Sequence, residues 1–531
     1  MKRMRAAHLL FLVLALVSSE QASAEVWTPP EPTPAELPEI AGWSVRDLPI
    51  SNGENYSRIK VQIQEENLQT KQASIWSTCK SLDLDPCRNS EDKVKEALIL
   101  LPYCHEKSDE WCIDSLAIQK VDSKEKPASF IRQVSGLNTS AYPELGIPAG
   151  STVSLWRSEN VLNAGGTDTY ATYVQVRFVK FPNREVSIAY TRATVLPYRE
   201  VTEESDPKQQ RYFETQFVSE VKTDGTSTSR VIGGSDECAW TENKTCGVAE
   251  DFSENTEVSL SIRLGKKVTG WFSGRMKNQE ISVSSLSSTQ NLLKIKASPV
   301  EVPQFYGAVS REKLTDKLAS TWLNDGWGVK NPQGIYNIHS DSPGVIKIIN
   351  NWKDVVSDKA AGLISSWSFS ATRAGLGSQC LTSNDVVMGF VSTNAMAYEG
   401  TAPNFVNGSL DYKVGGLHLN PDESVFEGTY DLAMRKSVAR CLYGLTEAPI
   451  SGTVSVLNDG KEEKISTTSI RETGSEKNGW ILIAAHGFTF SNPILKVKLK
   501  QASSTITCIN GKSLKKVTGI SPKCPSGYKK K

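Results

Sequence analysis

The chain has very little histidine: five residues in 531, one of them among the first ten. That leaves His105, His339, His418 and His486 for acid–base or metal chemistry. None lies in an H-E-x-x-H pattern and no G-x-S-x-G occurs, so the common zinc-protease and nucleophile-elbow signatures are missing. No G-x-x-x-x-G-K-[ST] phosphate loop and no dinucleotide fingerprint is present either. After residue 17 no apolar run approaches the roughly 20 residues that a membrane-spanning helix needs. No cysteine pair has the close spacing of a structural zinc site. The sequence therefore points to no catalytic residue, no metal ligand and no cofactor, and it favours a binding or structural protein over an enzyme.

Acidic residues are missing from one stretch in particular. Residues 506–531 hold seven lysines and two cysteines but no aspartate or glutamate. The whole chain carries only +1 and residues 1–24 are also basic, so residues 25–505 are net acidic. An acidic body with a basic C-terminal cap is a polarised molecule. Nucleic acid is not the expected partner, because the body is acidic and no basic-aromatic interleaving accompanies the lysines.

The chain starts Met-Lys-Arg-Met-Arg, runs apolar over residues 6–17, and reaches Ala22-Ser23-Ala24. A basic start, a short apolar core and an Ala-x-Ala box make a cleavable secretory signal, with the mature chain expected from Glu25. The alternative, a retained anchor, is too short to span a bilayer, and no cysteine follows to carry a lipid. Export implies an oxidising compartment, where disulfides persist. The ten cysteines fall naturally as Cys79 with Cys87, Cys104 with Cys112, Cys238 with Cys246, Cys380 with Cys441, and Cys508 with Cys524. The first three pairs share a spacing of eight, which suits a hairpin staple. Among the first four cysteines, Cys79 or Cys87 reaching Cys104 or Cys112 stays an open alternative.

The expected fold is mostly β, with two or more β-sandwich-like domains, a short helical segment between them and a C-terminal β-hairpin. Prolines over residues 28–38 mark a spacer at 25–41. Residues 42–305 form a disulfide-stapled β region, with a possible division near 140. In it, Val258, Leu260, Ile262 and Leu264 alternate with Ser259, Ser261 and Arg263 as in a half-buried strand. Val174, Val176 and Phe178 alternate with Gln175 and Arg177 in the same way.

Residues 306–366 change rhythm. Ser310 can cap a helix carrying Leu314, Leu318 and Trp322, stopped by Gly326. A second helix is expected from Pro343, with Val345, Ile348, Ile349, Trp352, Val355 and Val356 on one face. Residues 367–505 return to strands: Val454 and Val456 lead to a turn at Asn458-Asp459-Gly460, and Leu495, Val497 and Leu499 alternate with lysines.

Several local patterns suggest chemistry and fail on geometry. His339-Ser340-Asp341 contains the three triad residue types, but a relay needs them to converge from separate elements, so a polar turn is the better reading. Ser310 with Lys313 matches S-x-x-K, a spacing that occurs nine times here without the partner K-T-G. Asn420-Pro421-Asp422-Glu423 is a weak calcium candidate, and Asn55, Asn138, Asn243 and Asn407 are glycosylation sequons. Twelve tryptophans would serve either a polysaccharide platform or a sandwich core.

The basic tail is more informative. Asn510-Gly511 is a type I′ turn signal between two β-forming runs, and Cys508 with Cys524 would clip the returning chain, leaving Tyr528 and three lysines free. Lys512, Lys515, Lys516, Lys523, Lys529, Lys530 and Lys531, with Tyr528, are the expected surface-binding residues.

The tail, Thr507-Cys508 to Lys512, Lys515-Lys516-Val517-Thr518 and Pro522-Lys523-Cys524-Pro525-Ser526-Gly527-Tyr528, resembles a C-terminal module of large secreted actinobacterial surface proteins. Trp111-Cys112-Ile113, Val268-Thr269-Gly270-Trp271-Phe272-Ser273-Gly274-Arg275, Ser409-Leu410-Asp411-Tyr412-Lys413-Val414 and Ala439-Arg440-Cys441-Leu442-Tyr443-Gly444 extend the likeness to an uncharacterised family of such proteins. The resemblance carries no activity. It implies an exported protein, extracellular or wall-associated. The positive field of the lysines, separately, makes an anionic envelope polymer the expected partner, with lipid head groups or the acidic faces of neighbouring copies as alternatives. No transmembrane segment is expected after cleavage. A secreted hydrolase acting on glycan or peptide, or a self-assembling surface spacer, are the competing expectations.

Overall fold

The computed structural model describes residues 40–531 except 48–55, 65–74, 203–216, 222–226, 232–237, 266–269, 323–334, 373–379, 381–386, 446–449 and 490–493, with gaps of one to three residues elsewhere. The expected secretory leader, residues 1–24, and nearly all of the expected spacer at 25–41 lie outside the described residues.

The fold is mostly β, built around one long sheet. In hydrogen-bonded order its spine runs Lys95–Leu100, Thr169–Lys180, Ser187–Thr202, Gly362–Thr372, Gly270–Arg275, Val387–Thr393, Glu427–Arg435, Trp480–Thr489 and Thr468–Thr473. All neighbours are antiparallel except Gly270–Arg275 with Val387–Thr393. The strand Gly362–Thr372 enters between strands from earlier in the chain, so pairing runs continuously across residue 366.

Two smaller sheets cover this spine. On one face lies the sheet Lys277–Ser285, Asn291–Ser298, Thr256–Leu264 and Cys112–Lys120. Its Leu116, Val258, Leu260, Ile262 and Ile295 share a core with Val174, Val176, Phe178, Trp367 and Phe369 of the spine. On the other face, Ser409–Gly415, Ile494–Gln501 and Ile450–Asn458 pack Leu410, Tyr412, Val454, Leu495 and Val497 against Val391, Leu432, Met434, Ile481 and Ile483. Two sandwiches therefore share a layer. Every residue of Val387–Thr393 is buried, and the alternation of the strand sends Phe390 to the first core and Val391 to the second. Gly389 serves this packing: a Cβ there would lie 2.5 Å from the Trp271 ring.

Some expectations are corrected. Ser259 and Ser261 are buried, so Thr256–Leu264 is not half-exposed; the register sets Lys296 and Lys294 opposite them, and long lysine stems cover small serines. The first expected helix begins later: Ser310 ends a strand, and Asp316–Trp322 is helical, with the Leu318 N–H meeting the Thr315 hydroxyl at 3.5 Å. The second is Val345–Trp352 with Gly344 at its N-cap, Pro343 lying outside the described residues, and Val355 and Val356 follow in a 3-10 turn. Its Ile348, Ile349 and Trp352 pack with Trp43, Phe305, Leu318 and Trp322. An unanticipated helix, Lys436–Tyr443, buries Val438, Ala439 and Leu442 and carries Cys441 to its bridge with Cys380.

All five disulfides pair as the spacing suggested, which closes the alternative for the first four cysteines. Only Cys238 with Cys246 staples two paired strands; Cys79 with Cys87 and Cys104 with Cys112 each tie a strand end to a loop.

Arg275 is the most completely buried charge, 1% exposed. Its Nη1 donates to the Thr393 carbonyl at 3.0 Å and the Ala395 carbonyl at 2.5 Å, and its Nε to the Asp47 carboxylate. The guanidinium lies 4.3 Å from the centre of the Tyr398 ring. Burial opposes its charge, yet Asp47, Tyr398 and Asp341 more than offset this and hold it above the usual arginine range. Removing one partner of such a pair strands a charge away from water. Asp47→Ala is expected to lower unfolding free energy by about 3–5 kcal/mol in denaturant titration. A change under about 0.5 kcal/mol would show the pair to be dispensable.

Candidate functional sites: a polar cleft and a basic tail

A cleft of about 820 Å³ opens where strand ends of the spine meet the first covering sheet. Its wall is polar: Glu254, Asn255, Lys277, Asn278, Glu301, Asn394, Glu427, Thr429 and His486. Bulges shape it. Thr429 faces His486 beside a register shift, where Gly487 takes φ +74°, a conformation that glycine tolerates without a Cβ penalty. Asp431 lies two residues beyond Thr429, so it shares the face of His486 on the neighbouring strand.

The outcome is a carboxylate-held imidazole. His486 Nε2 is 3.0 Å from Asp431 Oδ2 and 3.2 Å from Oδ1. Asp431 is buried, and Asn278, at φ +57° in a bulge, turns its backbone N–H to the same carboxylate. Burial pushes the Asp431 carboxyl above the usual aspartate range, against the bond and charge of His486. A carboxylate on Nε2 leaves Nδ1 as the acceptor, the state of a proton acceptor able to activate water. Among the described residues no serine, threonine or cysteine is hydrogen-bonded to His486.

The other candidates resolve into structure. Ser340 donates to Asp47 and its carbonyl accepts from the Tyr398 N–H at 3.0 Å, while the Ser342 N–H closes on the His339 carbonyl at 3.0 Å. His339-Ser340-Asp341 is thus a turn that braces the Arg275 cluster. His105 is exposed with its ring against Tyr103, and the His418 N–H donates to Asp358 at 3.0 Å. Asp422 accepts from Ser424 at 2.6 Å and Glu423 pairs with Lys359 at 3.1 Å, which occupies the calcium candidate. Among the described residues no group of three or more histidine, cysteine or acidic side chains could hold a metal. Trp43, Trp156, Trp240, Trp271, Trp352 and Trp367 are fully buried, so these tryptophans are core rather than platform.

The tail is a three-stranded sheet that pairs with no other sheet: Ser504–Asn510 in the centre, Ser513–Gly519 on one side and Lys529–Lys530 on the other. Asn510 pairs with Ser513, so the turn is Gly511-Lys512, one residue later than expected. Gly511, at φ +57°, takes the first central position, the glycine placement of a II′ turn. Tyr528 and the final lysines are not free. The Tyr528 hydroxyl meets Ser513 at 3.0 Å, Lys515 Nζ lies 5.3 Å from its ring centre, and the Lys531 N–H donates to the Thr507 carbonyl at 2.9 Å. Cys508 is fully buried by its bridge to Cys524, whereas Lys512, Lys515, Lys516, Lys523, Lys529, Lys530 and Lys531 are all exposed.

The chain matches no protein-family model, no curated protein and no solved structure. Among the described residues no helix is long and apolar enough to cross a membrane.

The raised Asp431 carboxyl sets a pH dependence. The folded chain holds this proton more tightly than the unfolded chain, so the associated stability is present at low pH. It is lost as pH rises from the ordinary aspartate value, about 3.9, through the raised one. Asp431→Asn retains the volume and one acceptor for His486. Its Tm, measured against wild type from about pH 4 to pH 7, is expected to gain on wild type as pH rises; parallel curves would refute the assignment.

Proposed function

We propose that the protein is an exported, extracellular binding protein of the cell envelope, docked on an anionic polymer through residues 506–531. The observation that carries this reading is the tail itself: a separate, disulfide-clipped sheet with seven exposed lysines and no acidic residue. Five disulfides fit an oxidising compartment, as does the secretory leader. A two- or three-stranded sheet of this size is marginal alone, so a bridge that holds it folded is consistent with selection for its surface. The polar cleft then offers the displayed body a place to take a second, small ligand.

The secreted-hydrolase reading retains one specific support, the imidazole of His486 held by Asp431 in the cleft. It requires that turnover of a wall glycan or peptide vanish in His486→Ala while docking persists.

Docking is tested by comparing the mature chain with one ending at residue 503 in co-sedimentation with isolated envelope. The truncated chain is expected to bind at least about tenfold less at low salt, and the full chain to release as ionic strength rises toward 1 M, where screening acts within about 3 Å. Equal sedimentation of both chains at every salt would sink the docking reading.

A further inference from the structure

The seven lysines do not form one surface, because the register of the tail sheet sorts them. Residues directly opposite one another in a sheet point to the same side, and the side alternates along each strand. Cys508 pairs with Lys515 and with Lys530, so those lysines share the side that carries the disulfide. Tyr528, bonded to Ser513 and lying under Lys515, belongs to the same side. Ile509 pairs with Leu514 and with Lys529, and Thr507 pairs with Lys516, which sets these on the opposite side. The Lys531 N–H bonds to Thr507, which continues that row. Thr505 and Thr518, hydrogen-bonded to each other at 2.7 Å, extend the same side by one more row.

We infer that this second, open side is the docking face, and that its partner is a linear phosphodiester polymer. The inference rests on the docking reading above and names the surface and chemistry responsible. The disulfide side is occupied by its own bridge and by Tyr528, which engage Cys508, Ser513 and Lys515. Lys516 and Lys531 flank Thr507 from the two outer strands, about 10 Å apart across two strand spacings. Lys529 stands in the next row, about 7 Å further along. Such rows match charges repeated along a chain, and the threonine hydroxyls between them can donate to phosphate oxygens.

The tail holds no arginine, so it lacks the planar fork that recognises carboxylate in a fixed geometry. Lysine instead binds phosphate as a point charge and tolerates a flexible polymer. Leu514, 54% exposed, and the half-buried Ile509 are the apolar contribution, too little to anchor a bilayer by insertion.

The test uses the full mature chain and poly(glycerol phosphate) as the probe, with affinity read by titration at low salt. One variant reverses the open side, Lys516→Glu, Lys529→Glu and Lys531→Glu. Its control reverses three of the other four lysines, Lys515→Glu, Lys523→Glu and Lys530→Glu, and changes net charge equally. Thiol titration confirms the bridge in each. The open-side variant is expected to bind about a hundredfold more weakly and the control less than about fivefold more weakly. Equal losses would overturn the face assignment while leaving docking in place. Undiminished binding by the chain ending at 503 would instead remove docking itself. Lysines on edge strands also block edge-to-edge pairing. If that is their only role, neither variant loses affinity, which refutes the inference. Tighter binding to phosphatidylglycerol vesicles than to the polymer, abolished by Leu514→Ser, would replace the polymer by a membrane.

Discussion

The buried guanidinium of Arg275 is the constraint on which the architecture converges. It sits at the end of Gly270–Arg275, the strand where the spine changes from antiparallel to parallel pairing. Its partners come from distant parts of the chain: Asp47 after the first strand, the carbonyls of Thr393 and Ala395, and the ring of Tyr398. Ser340 binds the same Asp47, so the turn before the Val345–Trp352 helix is drawn into the cluster. A charge placed there is tolerable only when all these groups are present together. It therefore ties the first strand, the helical segment and both sandwiches to one arrangement, where apolar packing alone would accept several.

Sharing one sheet between two sandwiches explains both the burial of the spine and the place of the cleft. A strand such as Val387–Thr393, covered on both faces, has no polar side to present and reads as a continuous apolar run. Neither covering layer closes the strand ends, where bulges at Asn278 and Gly487 turn the backbone aside. Polar groups collect there. His486 and Asp431 are set side by side by the same irregularity that interrupts the ladder.

Much of the fold was legible along the chain. Alternation located Thr169–Lys180 and Ile494–Gln501, and the helix face of Ile348, Ile349 and Trp352 was readable from its period. Spacing suggested all five disulfides but left open how Cys79, Cys87, Cys104 and Cys112 pair, which the structure decided. What failed was everything that depends on a neighbour. Ser259 and Ser261 look solvent-facing until Lys294 and Lys296 stand opposite them. Lys436–Tyr443 is too short a helix to declare a period between two strands. His486 and Asp431 are separated by 55 residues, and no local pattern joins a lone histidine to an aspartate at that distance.

The basic tail shows the division most clearly. Composition by itself determined that residues 506–531 are cationic, bridged and turned near Gly511, because charge, cysteine and glycine act through the residue that carries them. Which lysines stand together was decided only by tertiary structure. A one-residue shift in the turn changes every cross-strand partner, and the side a residue faces follows its pairing. Five of the seven lysines fall on two faces, one engaged by its own disulfide and tyrosine and one open, because a sheet assigns sides by register.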